Sequence, residues 1–315
     1  MALLIACSSR AEEFAAFVRD LDPSLEVRVA PALGTVADIE HALVWQPPKG
    51  LLKTLPNLRL IVSVGAGVDA LLADPDLPNV PLVRFVDADL TGRMSEYVVL
   101  HVLYHHRRMS EFRELQARRV WKYLAEPAAS EVRVGLMGLG VLGSAAARAL
   151  SGFGYRLRAW TRSRKSLERV ACYAGDAELD AFLSETDILV VLLPLTPQTR
   201  GILDRRLLAR LSLRGRDARL PGPVLINAGR GGLQVDADIL ACLEAGELYA
   251  ASLDVFEAEP LPHSSPLWSH ARVLVTPHNA AESAPTAIAR YALNQIAAER
   301  RGAALANVVD RTRGY

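Results

Sequence analysis

Val132–Met137 is a short apolar run, and Gly138-Leu139-Gly140-Val141-Leu142-Gly143 follows it without a gap, opening onto the helix-like stretch Ser144–Leu150. Strand, glycine-rich turn and helix in immediate succession give the three glycines separate tasks. Gly138 permits a tight turn, Gly140 lets the backbone come close to a pyrophosphate, and Gly143 lets the helix pack closely on the strand. The first N–H groups of such a helix lack partners within it, and they lie at the positive end of its dipole, which suits a phosphate. Alone, a GxGxxG pattern is weak. Between a strand and a helix it predicts a dinucleotide site, with Leu139, Val141 and Leu142 supplying further backbone to the cofactor.

Outward from this turn the chain alternates strand-like and helix-like stretches. Val132–Met137, Leu157–Trp160, Ile188–Leu193, Val224–Asn227, Ala250–Val255 and Val273–Thr276 read as one series of strands, separated by helical stretches near 141–152, 178–184, 204–211 and 236–245. Leu3–Cys7, Val27–Ala30, Ala42–Trp45, Leu60–Val64 and Leu82–Val86 form an earlier series, with Glu12–Asp20 at helical spacing between the first two. Continuous apolar runs such as Ile188–Leu193 suit strands buried on both faces. The expected architecture is α/β, with two doubly wound parallel-sheet domains: a flavodoxin-like substrate domain and a Rossmann cofactor domain. Thr91–Lys122 reads as one long helix or a broken pair carrying the chain between them. The alanine-rich helix of Pro285–Arg301 has no strand of its own behind it and is expected to return to the first domain. The predicted division is therefore 1–98 plus 283–315 for the substrate domain and 99–282 for the cofactor domain.

Composition narrows the function. Half of the 315 residues are hydrophobic, enough to offset the ordering entropy of a folded chain. With 36 basic and 35 acidic residues, no net field draws the protein to nucleic acid or to an anionic membrane. The Met1–Cys7 run is too short for a signal core or a bilayer span and reads as a buried first strand. Cys7, Cys172 and Cys242 are far apart, with neither disulfide nor zinc spacing, as expected of a reduced cytoplasmic protein without a structural metal. His101, His105 and His106 read as one helix face. The polar, breaker-rich stretch 212–223 reads as a solvated loop.

The end of the strand after the glycine turn bears on the choice of cofactor. An acid there would bind a ribose 2′-hydroxyl, but the sequence runs Trp160-Thr161-Arg162-Ser163-Arg164-Lys165. Hydroxyls and guanidinium groups suit a 2′-phosphate, because arginine presents a planar fork of donors. The expectation is NADP(H) by preference, with NAD(H) possible. The alternative reading is an ordinary basic surface loop.

Further on, Arg230 lies in Ile226-Asn227-Ala228-Gly229-Arg230-Gly231-Gly232, where small residues let a ligand approach the backbone. Glu259 lies in Asp254–Pro260, and His278 just beyond the strand Val273–Thr276. Each follows a strand end, where open α/β sheets bind ligands.

A glycine-rich turn followed by Arg230, Glu259 and His278 in this order resembles the D-isomer-specific 2-hydroxyacid dehydrogenase family over nearly the whole chain. Within that family, Ala42–Pro48, Gly65–Asp69, Trp160–Ser166 and Val309–Tyr315 are similar to the reductases of glyoxylate and hydroxypyruvate. The resemblance implies hydride transfer to the carbonyl carbon of a small 2-oxo acid, with His278 giving the proton. A histidine can do so near neutral pH with Glu259 as its partner. It implies that Arg230 holds the substrate carboxylate and polarises the ketone, and that Asp254 orients the nicotinamide carboxamide. Pro194, Ala228 and Gly229 line the cofactor site, and Ala66, Gly67 and Val68 offer backbone N–H groups to the same carboxylate in a cleft between two domains. His278 is also implied to touch substrate. Trp45 reads equally as core or as pocket wall. Asp69 reads as a helix cap, since its charge would repel the substrate. The family typically dimerises through the region of Tyr97–Lys122, which implies a homodimer. Two other readings stay open: a dehydrogenase of bulkier 2-oxo acids such as phenylpyruvate, and a dinucleotide-sensing binding protein without turnover.

Overall fold

The computed structural model describes Met1–Gly314; Tyr315, the last residue of the Val309–Tyr315 motif, lies outside the described residues. In chain order the elements are β1 (Ala2–Cys7), α1 (Ala11–Leu21), β2 (Glu26–Val29), β3 (Ile39–Trp45), β4 (Leu60–Ser63), α2 (Asp69–Leu72), β5 (Leu82–Arg84), α3 (Ala88–His106) and α4 (Met109–Ala117). There follow β6 (Arg133–Met137), α5 (Val141–Ser151), β7 (Arg156–Thr161), β8 (Val170–Ala174), α6 (Leu179–Ser184), β9 (Ile188–Val191) and α7 (Arg205–Leu208). The chain ends with β10 (Val224–Asn227), α8 (Asp236–Ala245), β11 (Ala250–Leu253), β12 (Val273–Val275) and α9 (Pro285–Arg300). Two compact units result, one from Met1–Leu90 with the tail from Ser283, the other from Thr91–Glu282.

The first unit holds a parallel sheet in the order β2-β1-β3-β4-β5. The N-terminal run is its strand β1, with Ala2–Ile5 fully buried. In the second unit seven parallel strands run β12-β11-β10-β9-β6-β7-β8. Strand β9 shows why its apolar run is continuous. Ile188 and Val190 enter the core beneath α3 and α5, whereas Leu189 and Val191 enter the opposite core beneath α6, α7 and α8. Alternate residues feed two buried faces, so no position on the strand is left for a polar side chain.

Several expectations need correction. Strand β8 was not anticipated: it is a half-exposed edge strand, and Val-Ala-Cys-Tyr-Ala lacks the apolar density of its neighbours. The Thr91–Lys122 stretch is a broken pair that stops early. Arg108 adopts a left-handed φ of 54° between α3 and α4, and residues beyond α4 run without helix toward Ala128. Asp69 is the first residue of α2, not its cap, a position that Val68 holds. The 212–223 loop is exposed over residues 213–216 yet pinned at its base. Ser212 donates to Asp187 at 2.6 Å, and the buried Arg133 pairs with Asp187 at 2.5 Å while donating to the Arg214 carbonyl. Each half of this ion pair is buried, so removing one partner would strand the other charge.

Burial also decides the protonation of three imidazoles. Desolvation pushes His105 down to about 3, with His101 adding to the effect, and it lowers His101 and His41 despite the Glu299 carboxylate 3.1 Å from His41. A base depressed in the fold favours the unfolded chain on protonation. Its contribution is full above about 6.5, the ordinary histidine value, and is lost as pH falls toward the folded value. Unfolding midpoints are therefore expected to fall more steeply between about pH 6 and 4 than above neutrality. His105→Gln should remove about one proton from that slope; calorimetry across the pH series measures it, and an unchanged slope would contradict the assignment.

Candidate active site

The glycine turn sits at the carboxyl end of β6, where the sheet reverses its strand order between β6 and β9. Gly138 has φ +102°, and a Cβ there would lie 2.9 Å from the Leu192 carbonyl oxygen. A Cβ on Gly143 would lie 2.0 Å from the Gly138 carbonyl, so the contact of helix with turn requires glycine. Gly140 differs: nothing lies within 4 Å of its Cβ position. It caps α5 without a side-chain hydrogen bond, and both Gly140 and Val141 are exposed. Open space beside a helix N-terminus with no side-chain cap fits a pyrophosphate. Leu139 is buried and offers only its backbone, and Leu142 is half-buried.

At the end of β7, Thr161 is buried and donates to the Ser163 carbonyl at 2.7 Å, leaving Arg162 and Ser163 exposed on the turn. Arg164 is committed elsewhere. It pairs with Glu178 and donates to the Cys172 carbonyl at 3.2 Å, which ties it to the unanticipated strand β8. Lys165 takes the opposite direction and donates to the Leu139 carbonyl at 2.8 Å, reaching the glycine turn itself. The exposed Arg162 and Ser163, with Lys165 reaching the glycine turn, fit a 2′-phosphate, and Arg164 could join them only by opening its exposed pair with Glu178.

Arg230 stands beyond β10 on a turn clamped by the buried Asn227, whose amide donates to Gln234 at 2.8 Å and accepts from the Gly229 N–H at 3.1 Å. Its guanidinium donates to the Gly229 carbonyl at 2.8 Å and remains half-exposed. Ala228 and Gly229 are buried, and Pro194 follows β9 with its carbonyl accepting from Thr199 at 2.7 Å.

Beyond β11 and β12, Glu259 and His278 meet. Glu259 Oε2 lies 2.7 Å from His278 Nδ1, and Oε1 accepts from the Phe256 N–H at 3.0 Å. Burial pushes the Glu259 carboxyl upward, but the His278 imidazole, the Phe256 N–H and the nearby Arg230 charge outweigh it and hold the group below the ordinary carboxylate range. An ionised carboxylate only accepts, so Nδ1 carries the proton facing it and Nε2 is left for another partner. Arg230, Glu259 and His278 thus share one end of one sheet, with a fixed cation, an anion and an imidazole. Asp254 is buried, with its Oδ1 accepting from Thr276 Oγ1 at 2.6 Å and the Asn279 N–H at 3.0 Å, and Oδ2 from the Ala280 N–H at 3.0 Å.

In the first unit Trp45 and Gly65–Val68 lie at the ends of β3 and β4. A Cβ on Gly65 would lie 2.5 Å from the Trp45 ring, so the indole covers this glycine. Trp45 is half-buried, with its ring closing over the Gly65 turn. Ala66 and Gly67 are partly exposed, whereas the Val68 side chain enters the core and leaves only its backbone for a ligand. Arg84 donates to the Ala66 carbonyl at 3.3 Å and Ser63 to the Gly65 carbonyl at 3.1 Å.

The NAD binding domain of the D-isomer specific 2-hydroxyacid dehydrogenases matches residues 99–280. A glyoxylate/hydroxypyruvate reductase A of Salmonella paratyphi B is 42% identical over 282 residues, covering 88% of each chain. The chain belongs to the D-isomer specific 2-hydroxyacid dehydrogenase family. Two solved members of that family align over the full length. The dehydrogenase of Xanthobacter autotrophicus Py2, in complex with NADPH and MES, has a TM-score of 0.93 at 39% identity and covers 100% of this chain and 99% of its own. The NADPH-dependent glyoxylate/hydroxypyruvate reductase of Sinorhizobium meliloti, in complex with NADP and sulfate, has a TM-score of 0.92 at 44% identity with the same coverage. As a D-2-hydroxyacid dehydrogenase, this chain is an NAD(P)-dependent oxidoreductase with a small-molecule substrate. Among the described residues no helix is long and apolar enough to cross a membrane, and no cluster of three or more His, Cys, Asp or Glu could hold a metal.

Asn227, Gln234, Lys165, Thr276 and Tyr97 were not foreseen at the site. The first four stood within or beside quoted motifs, but nothing in linear order marks a side chain that acts by holding a turn.

Proposed function

We propose that this dehydrogenase reduces small 2-oxo acids, glyoxylate and hydroxypyruvate first, to 2-hydroxy acids with NADPH. The observation that carries the reading is the 2.7 Å His278–Glu259 contact, with the Arg230 charge close enough to act on the same carboxylate. When bound, NADPH supplies the hydride that the carbonyl carbon accepts. His278 gives the carbonyl oxygen its proton from Nε2 and is left neutral, while Glu259 keeps the ring oriented through Nδ1. Arg230 binds the substrate carboxylate and draws electron density toward the carbonyl oxygen. In the first unit we assign the N–H groups of Ala66, Gly67 and Val68, beside the Trp45 ring, to substrate contact. Pro194, Ala228 and Gly229 are assigned to the nicotinamide side of the cofactor.

The cofactor assignment has its own test. Because the space around the Gly140 Cβ position is open, Gly140→Ala should lower the melting temperature by no more than about a few degrees, the loss of an N-cap glycine, yet weaken NADPH binding at least about tenfold, as a methyl meets the pyrophosphate. Fluorescence titration of NADPH measures it. Wild-type affinity in the variant would remove the cofactor from this turn.

A homodimer is proposed on a surface of the second unit. Trp121 is fully exposed and Tyr123 86% exposed, and both line a cavity of about 930 Å³ with Phe112, Phe153 and Tyr155. Exposed aromatic side chains of this kind suit a partner. Light scattering should give twice the 34.2 kDa chain mass for the wild type and the single mass for Trp121→Arg/Tyr123→Arg; a wild-type monomer at micromolar concentration would contradict it. A cytoplasmic location is proposed on the three free cysteines.

A further inference from the structure

The buried face of α3 carries a polar stripe that the reaction as described does not use. Tyr97, His101 and His105 follow one another at helical spacing, and each meets a polar partner inside the second unit. His105 Nε2 lies 2.8 Å from Ser252 Oγ, and His101 Nδ1 lies 2.8 Å from the Tyr97 carbonyl while its ring stacks on the Tyr97 ring with centroids 3.9 Å apart. The Tyr97 hydroxyl lies 2.9 Å from Thr276 Oγ1, which in turn lies 2.6 Å from the Asp254 carboxylate.

Proton counting gives this chain a direction. Thr276 has one hydroxyl proton, and its short contact to a carboxylate takes it. Tyr97 must then donate to the Thr276 oxygen. Burial pushes the Tyr97 phenol upward, which keeps that proton in place. At the far end, one residue collects three consecutive amides: His278 N–H goes to the Asp254 carbonyl at 2.8 Å, and Asn279 and Ala280 N–H go to the Asp254 carboxylate at 3.0 Å each. The turn so wrapped holds His278 at a φ of +53°, a left-handed conformation uncommon outside glycine.

We infer that Tyr97 and Thr276 are positioning residues for the proton donor: through Asp254 they hold the turn that keeps His278 in its left-handed conformation, with its ring on Glu259. The inference rests on the proposed role of His278. On an exposed turn, His278 is held by its Glu259 contact and by the backbone beneath, so a shift of that backbone moves the ring and the contact together. Without the Thr276 proton, the Asp254 carboxylate would be held by the Asn279 and Ala280 amides alone, and the turn with it would open more readily. A displacement of about 1 Å at a reacting group can cost on the order of a hundredfold in rate.

The test compares Thr276→Val, Thr276→Ser and Tyr97→Phe with the wild type by two readouts. Steady-state kinetics with NADPH and glyoxylate should show kcat lowered roughly 10- to 100-fold in Thr276→Val, with KM and NADPH affinity nearly unchanged. Thr276→Ser, which keeps the hydroxyl, should recover most of the loss, and Tyr97→Phe should show a smaller loss of the same kind. Hydrogen exchange in the cofactor-free protein should show the Asn279 and Ala280 amides opening at least about tenfold faster in Thr276→Val, with the amides of β10 unchanged. Slow exchange at these amides in Thr276→Val would overturn the inference. So would Thr276→Ser failing as badly as Thr276→Val, or exchange accelerating equally throughout the unit. A wild type inactive on every 2-oxo acid would instead sink the proposed reaction, and the exchange data would still decide whether the turn is held this way.

Discussion

His278→Ala is expected to lower kcat for glyoxylate reduction by about 10²- to 10⁴-fold while NADPH binds as in the wild type. In the proposed reaction Glu259 takes Nδ1 at 2.7 Å and Nε2 serves the developing alkoxide. A neighbouring water can replace the proton source only without its orientation, which is where most of the loss arises. Rapid-mixing measurement of NADPH absorbance separates the chemical step from cofactor binding. Glu259→Gln should produce a smaller loss of the same kind, since the amide keeps the contact but not the charge. The depressed Glu259 carboxyl also fixes an acid-side behaviour. Its contribution to stability is full above about 4.5, the ordinary value, and is lost as pH falls through the depressed folded value. The His278–Glu259 contact therefore survives into acid where ordinary carboxylates have already protonated.

The second large effect concerns the cofactor. Arg162→Ala/Lys165→Ala is expected to raise the KM for NADPH by roughly 100-fold and to leave that for NADH within a small factor, because only the 2′-phosphate loses its charge-assisted donors. Arg164→Ala should do much less to either, since its guanidinium is tied to Glu178 and the Cys172 carbonyl on the edge of the sheet. The three basic residues look equivalent in sequence, and this comparison separates them. Equal losses from Arg164→Ala and from the double variant would show that the ion pair opens when the cofactor arrives.

These two cases also show where sequence and structure part. The strands and the glycine turn were legible because burial on two faces forces continuous apolar runs, and because Gly138 and Gly143 stand where a Cβ would strike the Leu192 or Gly138 backbone. Arg230, Glu259 and His278 stand out in the sequence as candidates following strand ends, and the structure brings Glu259 and His278 into contact at one end of the sheet. Strand β8 was not, because an edge strand faces solvent and carries no comparable apolar run. The direction of Arg164 was not, because its partner Glu178 comes 14 residues later on a turn set by that same strand. The roles of Asp254, Thr276 and Tyr97 were hidden for a related reason. Tyr97 and Thr276 lie 179 positions apart, and only the packing of α3 on the sheet brings their hydroxyls together. Local pattern reveals which residues have chemistry; it does not reveal which of them are held and by what.

The most direct test of the central claim is the initial rate of NADPH and NADH consumption with glyoxylate, hydroxypyruvate, pyruvate and phenylpyruvate. The account predicts fast turnover of NADPH with glyoxylate and hydroxypyruvate, slower turnover with phenylpyruvate, and a clear disadvantage for NADH. Preference for phenylpyruvate would shift the enzyme to bulkier 2-oxo acids. Turnover with NADH alone would contradict the cofactor assignment, and tight NADPH binding without turnover of any acid would contradict the reaction itself.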